Sequence, residues 1–136
     1  MDEKVKDLLE RIKRDDRTSF FGKQEKLGDE ELNAQLTAWC EKLESGEYTQ
    51  AEGCLYDDEK NSYCCLGIAG LVCDVDPQDM SWLNYPDESS LIESSGETLW
   101  YFLQNAELNR HLSELNDTDE FTFEEIASII RYKYNL

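Results

Sequence analysis

Apolar residues along this 136-residue chain first fall at helical spacing: Val5, Leu8, Leu9 and Ile12 stand at i, i+3, i+4 and i+7. That stripe predicts an amphipathic helix from about Asp2 to Asp15. Phe20-Phe21-Gly22 breaks the period and reads as a connector with a buried aromatic. Asp29 is placed to cap a second helix, whose apolar face is Leu32, Leu36, Trp39 and Leu43. Ser45-Gly46 stops it, because glycine just past a helix end adopts the left-handed conformation cheaply.

The pattern then shortens. Cys54-Leu55-Tyr56 and Ser62-Tyr63-Cys64 are β-favouring runs around a polar turn at 57–61, which predicts a hairpin. From Cys65 to Cys73 nearly every position is apolar, so the segment belongs inside, read here as a short buried helix. Gly67 and Gly70 would cost about 1 kcal/mol each in an exposed helix, so they imply close approach of another element. Residues 74–96 are irregular, and Trp82, Leu83 and Tyr85 predict a loop pinned to the core. A helix is expected from Glu97 to about Gln104, continuing toward Leu112. Thr122-Phe123-Glu124-Glu125 is a capping box that opens a C-terminal helix through Ile126, Ile129 and Ile130. The fold class expected is α+β: a compact, mainly helical single domain with a small central β-hairpin. Residues 1–27 form a helical extension and 28–136 the core.

Charge changes the picture. The chain carries 31 acids against 13 bases, a net −18. Residues 1–27 are nearly neutral, whereas 43–130 hold twenty acids and only two bases, Lys60 and Arg110. Such a field repels phosphate backbones and attracts basic surfaces, so direct nucleic-acid binding is not expected. No apolar run is long enough to span a bilayer, and Met1-Asp2-Glu3-Lys4 lacks the pattern of a signal peptide. Five cysteines, two of them adjacent, do not suit a secreted disulfide framework and read as reduced thiols in a cytoplasm.

The candidate chemistry is sparse. Zinc prefers convergent Cys and His at C-x2–4-C spacing, whereas Cys64 and Cys65 are adjacent and His111 is the only histidine. A nucleophilic Cys64 or Cys65 with His111 and Asn116 or Asp117 lacks any local protease signature. Asp74–Asp79 fails as a calcium loop, having Asp79 where glycine is required and Tyr85 where glutamate is required. No catalytic residue, metal or cofactor is therefore assigned.

Two ordered blocks carry a resemblance. The first is Trp39, Leu43, Ser45-Gly46, Tyr48, Gln50, Gly53, Leu55 and Tyr63-Cys64-Cys65-Leu66-Gly67, ending at Cys73-Asp74. The second is Leu112, Leu115-Asn116-Asp117, Phe123, Glu125-Ile126-Ala127 and Ile129-Ile130. Together they resemble a group of small, mostly uncharacterised proteins of tailed phages and prophages. The resemblance implies an α+β fold in a host cytoplasm and brings no reaction with it; the N-terminal extension departs from it.

Two functions follow as expectations. One is a non-catalytic acidic phage accessory protein that binds a host protein with a basic surface, in its sharper form by nucleic-acid mimicry. Its surface would include Asp57, Asp58, Glu59, Asp87, Glu88, Glu93, Asp119 and Glu120. The other is a small-ligand binder or enzyme with a polar cleft at Tyr48, Gln50, Asn116 and Asp117.

Overall fold

Two long amphipathic helices form the spine of the molecule, a computed structural model that describes residues 2–86 and 98–136. The first, α3 (Glu30–Glu44), buries Leu32, Leu36, Trp39, Cys40 and Leu43, one residue more than the predicted stripe. Asp29 caps it, accepting from the Leu32 amide, and Gly46 follows it at φ 75°. Its partner, here numbered α8 (Phe123–Tyr134), begins with the capping box: Thr122 accepts from the Glu125 amide while Glu125 accepts from the Thr122 amide. Ile126, Ala127, Ile129 and Ile130 then seal against α3, the most extensive helix pairing in the fold.

The remaining elements dress this pair. Helices α1 (Glu3–Arg11) and α2 (Asp15–Gly22) both pack on α8. The single N-terminal helix expected to Asp15 is therefore two. The chain leaves α1 at Ile12 in extended conformation, and the Lys13 amide and the Arg17 side chain both then reach Asp119. Phe20 and Phe21, read as a connector, are helical: they form the last turn of α2. Lys133, which is itself buried, donates to the carbonyls of Phe20 and Lys23, capping that turn.

The central sheet is small. Strands β2 (Tyr56–Asp57) and β3 (Ser62–Tyr63) form the expected hairpin, with Tyr56 opposite Tyr63. A strand the alternation did not reveal, β1 (Thr49–Gln50), pairs with β3 in parallel and makes the order β1-β3-β2. Helix α4 (Cys65–Val72) is buried on nearly all sides, and the Trp39 indole donates to its Cys65 carbonyl at 2.9 Å. A Cβ on Gly67 would overlap the Leu55 carbonyl, and one on Gly70 the Met80 sulfur, which is the close approach the two glycines imply.

Past α4, a short helix α5 (Pro77–Met80) is capped by Asp76. The helix expected through to Leu112 is broken into α6 (Thr98–Phe102) and α7 (Ala106–Asp117), because Asn105 caps the second by accepting from the Leu108 amide at 3.1 Å. Among the described residues no helix is long and apolar enough to cross a membrane.

Candidate functional site

A pair of amides joins the sheet to the end of α7. Gln50, closing β1, donates through Nε2 to Asn116 Oδ1 at 2.9 Å and to the Phe121 carbonyl at 2.8 Å. Asn116 is almost wholly buried; it accepts from the Cys65 amide and donates through Nδ2 to the Ala51 carbonyl and Asp117 Oδ1, both at 2.7 Å. Sequence separations of 51 to 66 residues are thus closed by one side chain. Buried amides cost several kcal/mol when unpaired, so this network fixes the register of β1, the start of α4 and the end of α7.

The expected cleft is accordingly partitioned. Gln50 and Asn116 spend their amides on each other and on backbone and stand as a wall, which borders a recess of about 200 Å³ with Glu52, Glu120, Phe121 and Thr122. On one side Tyr48 and Gln50 line a shallow groove with Gly46, Thr122, Phe123 and Glu124. Tyr48 leans edge-on against Tyr63, which in turn lies 4.7 Å from Tyr56. Past the wall lies a more enclosed recess of about 260 Å³ bordered by Gly53, Cys54, Cys64, Asn84, Tyr85, Ser113 and Asp117. Of the four predicted residues, only Asp117 faces this space.

Asp117 is the last residue of α7. A carboxylate there opposes the helix dipole, whose C-terminal end favours cations. Its negative charge helps push the thiols of Cys54, Cys64 and Cys65 above their ordinary range, although burial is the larger cause for each. Cys64 rises to about 12. No lysine or arginine lines the recess among the described residues. The space is electronegative, with a hydroxyl, an amide and a phenol beside the carboxylate.

Gly53, Cys54, Asn84, Tyr85 and Ser113, which line this recess, were not picked out as site residues from the sequence. Asp117 itself offered the one available signal: an acid in the last turn of a helix, where local preference favours a base.

The residues of the expected acidic surface scatter. Asp57 is buried and accepts from the Glu59 and Lys60 amides, closing the hairpin turn. Asp119 is buried and bound by both Nε and Nη2 of Arg17. Neither is available to a surface. Asp58 accepts from Ser81 Oγ at 3.0 Å and Trp82 Nε1 at 3.1 Å. Glu59 and Glu120 are exposed, and Asp87, Glu88 and Glu93 lie outside the described residues.

The thiols are structural in placement. All five are buried thiols outside any disulfide, and Cys65 donates to the Leu112 carbonyl. His111 is stacked on Phe20 with ring centroids 4.4 Å apart. Among the described residues no three His, Cys, Asp or Glu side chains are grouped to hold a metal ion.

No curated protein and no solved structure matches the chain. Residues 33–98, just under half of it, match a domain of unknown function, DUF8296; the match takes in most of α3, the sheet, α4 and most of the recess lining, but stops short of α7 with Ser113, Asn116 and Asp117.

Proposed function

We propose that this protein is a binding module for a small organic cation, an amine or guanidinium group seated in the recess beside Asp117. The observation that carries the reading is the placement of that carboxylate. It stands at the negative end of α7, in an enclosed space whose other described lining residues are neutral at pH 7. Ligand pockets usually span roughly 300–1,000 Å³, so a space of about 260 Å³ suits a group of side-chain size, not a nucleotide.

Support for the acidic accessory protein of a phage, acting on a basic host protein by nucleic-acid mimicry, is weaker. It keeps the net charge of −18 and the exposed Glu59 and Glu120, but Asp57 and Asp119 are turned inward.

Calorimetric titration with n-butylamine, n-butylguanidinium and butanoate tests the cation reading. The two cations should bind and butanoate should not. Asp117→Asn, which retains an acceptor for Asn116, should abolish binding while leaving the melting temperature close to that of the parent. Absence of cation binding to the parent protein, or binding undiminished in Asp117→Asn, would sink the proposal.

A further inference from the structure

Two large aromatic side chains stand in solvent in the segment that borders the recess. Trp82 is 54% exposed and Tyr85, which lines the recess, is 41% exposed. The segment is not loose. Ser81 bridges in parallel to Tyr56, the Trp82 amide donates to the Tyr56 carbonyl, and the Leu55 amide donates to the Leu83 carbonyl at 2.6 Å. Residues 81–83 therefore extend the edge of β2 as a rigid strip. Within it Trp82 sits at φ 63°, a conformation costly for a bulky residue, and its indole is tethered to Asp58. Trp82 and Tyr85, expected from the sequence to pin this loop to the core, are instead held outward, and among the described residues the Trp82 indole bonds to Asp58.

Resting on the cation reading above, we infer that the cation is presented by another polypeptide. A lysine or arginine side chain of a basic segment enters the recess, and the chain around it lies over Tyr85 and Trp82. Charge complementarity selects this occupant. An indole with a carboxylate bound at its N–H edge offers an electron-rich face, the preferred platform for a second lysine or arginine. Glu52 and Glu59 are exposed on the neighbouring loops, and a net −18 steers basic chains toward the molecule. An apolar partner would gain the aromatic contact while leaving the carboxylate without a partner, and an acidic one would be repelled. A free amine would fill the recess without touching Trp82.

A fluorescent peptide of alternating glycine and lysine, the same peptide with norleucine for lysine, and n-butylamine separate the possibilities. The lysine peptide should bind at least about tenfold more tightly than n-butylamine. Trp82→Asn should remove most of that gain and leave n-butylamine binding unchanged. Asparagine tolerates the left-handed backbone, so this loss is not unfolding. Tyr85→Ala serves as a second variant with the same expectation for the peptide. If the lysine peptide binds no better than n-butylamine, or if Trp82→Asn and Tyr85→Ala leave it unaffected, the inference falls and the small-cation reading stands. Equal binding of the norleucine peptide overturns the basic partner. If neither peptide nor amine binds, both readings fail.

Discussion

Arg17 and Asp119, 102 residues apart, are joined by two parallel hydrogen bonds of 3.1 Å, Nε to Oδ2 and Nη2 to Oδ1, with both side chains excluded from water. Glu114 adds a further contact to Arg17. Arg11 pairs with Glu125 of the capping box, and Lys133 clasps the end of α2. The first 27 residues are thereby keyed into the turn between α7 and α8 and into the C-terminal helix. Removing one partner of a buried pair strands the other charge, at a cost of about 3–5 kcal/mol. Arg17→Met should therefore lose stability on that scale in urea titration, and deletion of residues 1–27 should yield an unfolded chain. The double variant Arg17→Met/Asp119→Leu should recover most of the loss, since Glu114 retains Arg110 as a neighbour. An Arg17→Met protein as stable as the parent would mean that the pair contributes nothing.

The glycines of α4 separate two kinds of crowding. At Gly67 an added methyl meets the backbone carbonyl of Leu55, which is fixed by its bond from the Cys64 amide. At Gly70 it meets the sulfur and terminal methyl of the buried Met80, a flexible side chain, with the Trp100 ring beside it. Alanine gains about 1 kcal/mol of helix propensity at either position, while overpacking costs about 1–3 kcal/mol or more. Gly67→Ala should be clearly destabilised, and Gly70→Ala destabilised less, since Met80 can change rotamer where a backbone carbonyl cannot move. Equal melting temperatures for the two would contradict this packing.

What the sequence made legible follows from how local each signal is. The caps at Asp29 and Thr122, the stop at Gly46 and the buried character of α4 depend on neighbours within a few residues, and all were readable. The break at Asn105 was local too, yet the apolar period ran across it and hid the cap. Strand β1 was invisible because two residues cannot show alternation, and its pairing with β3 is set by Gln50 reaching Asn116. Tyr48, Gln50, Asn116 and Asp117 read from the sequence as one polar cleft, but such a grouping does not reveal which side chains are spent on each other. That is decided by tertiary contacts: the amides pair, and the carboxylate is left facing the recess. The same holds for acidity, where Asp57 and Asp119 look like surface residues until a turn and an arginine claim them.

His111 predicts a pH dependence whose sign can be worked out. Its ring is buried against Phe20 and Phe21, and Nδ1 has no partner among the described residues. Burial, then the charge of Arg110, hold it below its ordinary value of 6.5, with Asp16 and Glu107 opposing. Between the folded value and 6.5 the unfolded chain binds a proton that the folded one does not, so stability rises with pH there. The contribution is complete above about 6.5 and is lost as pH falls through the folded value. His111→Phe, which keeps the aromatic stack, should therefore lose less stability than the parent between pH 7 and pH 5. The lowered carboxylates of Glu44 and Glu125 act in a lower window, below 4.5, and leave this comparison clear. Identical losses for the two proteins, measured by urea titration at both pH values, would remove His111 as the cause.

Thiol reactivity tests the electrostatics of the recess directly. Burial lifts Cys40 and Cys64 to about 12 and Cys65 well above its ordinary value, leaving almost no thiolate at neutral pH. The native protein should thus react slowly with Ellman's reagent at pH 7.5, and all five thiols should titrate at once in denaturant. Cys54 and Cys64 border the recess, whereas Cys65 turns toward the Leu112 carbonyl. Cys54 is raised less strongly than Cys64, so it should be the first to be modified in the folded state. Asp117→Asn removes a negative charge that raises it and should speed that modification. Saturating n-butylamine should instead slow it by closing the path to the sulfur. Mass mapping of the first modified cysteine identifies it. Rapid labelling of Cys64 or Cys65, or a rate at Cys54 indifferent to Asp117→Asn, would show that neither burial nor the carboxylate controls these thiols as the geometry requires.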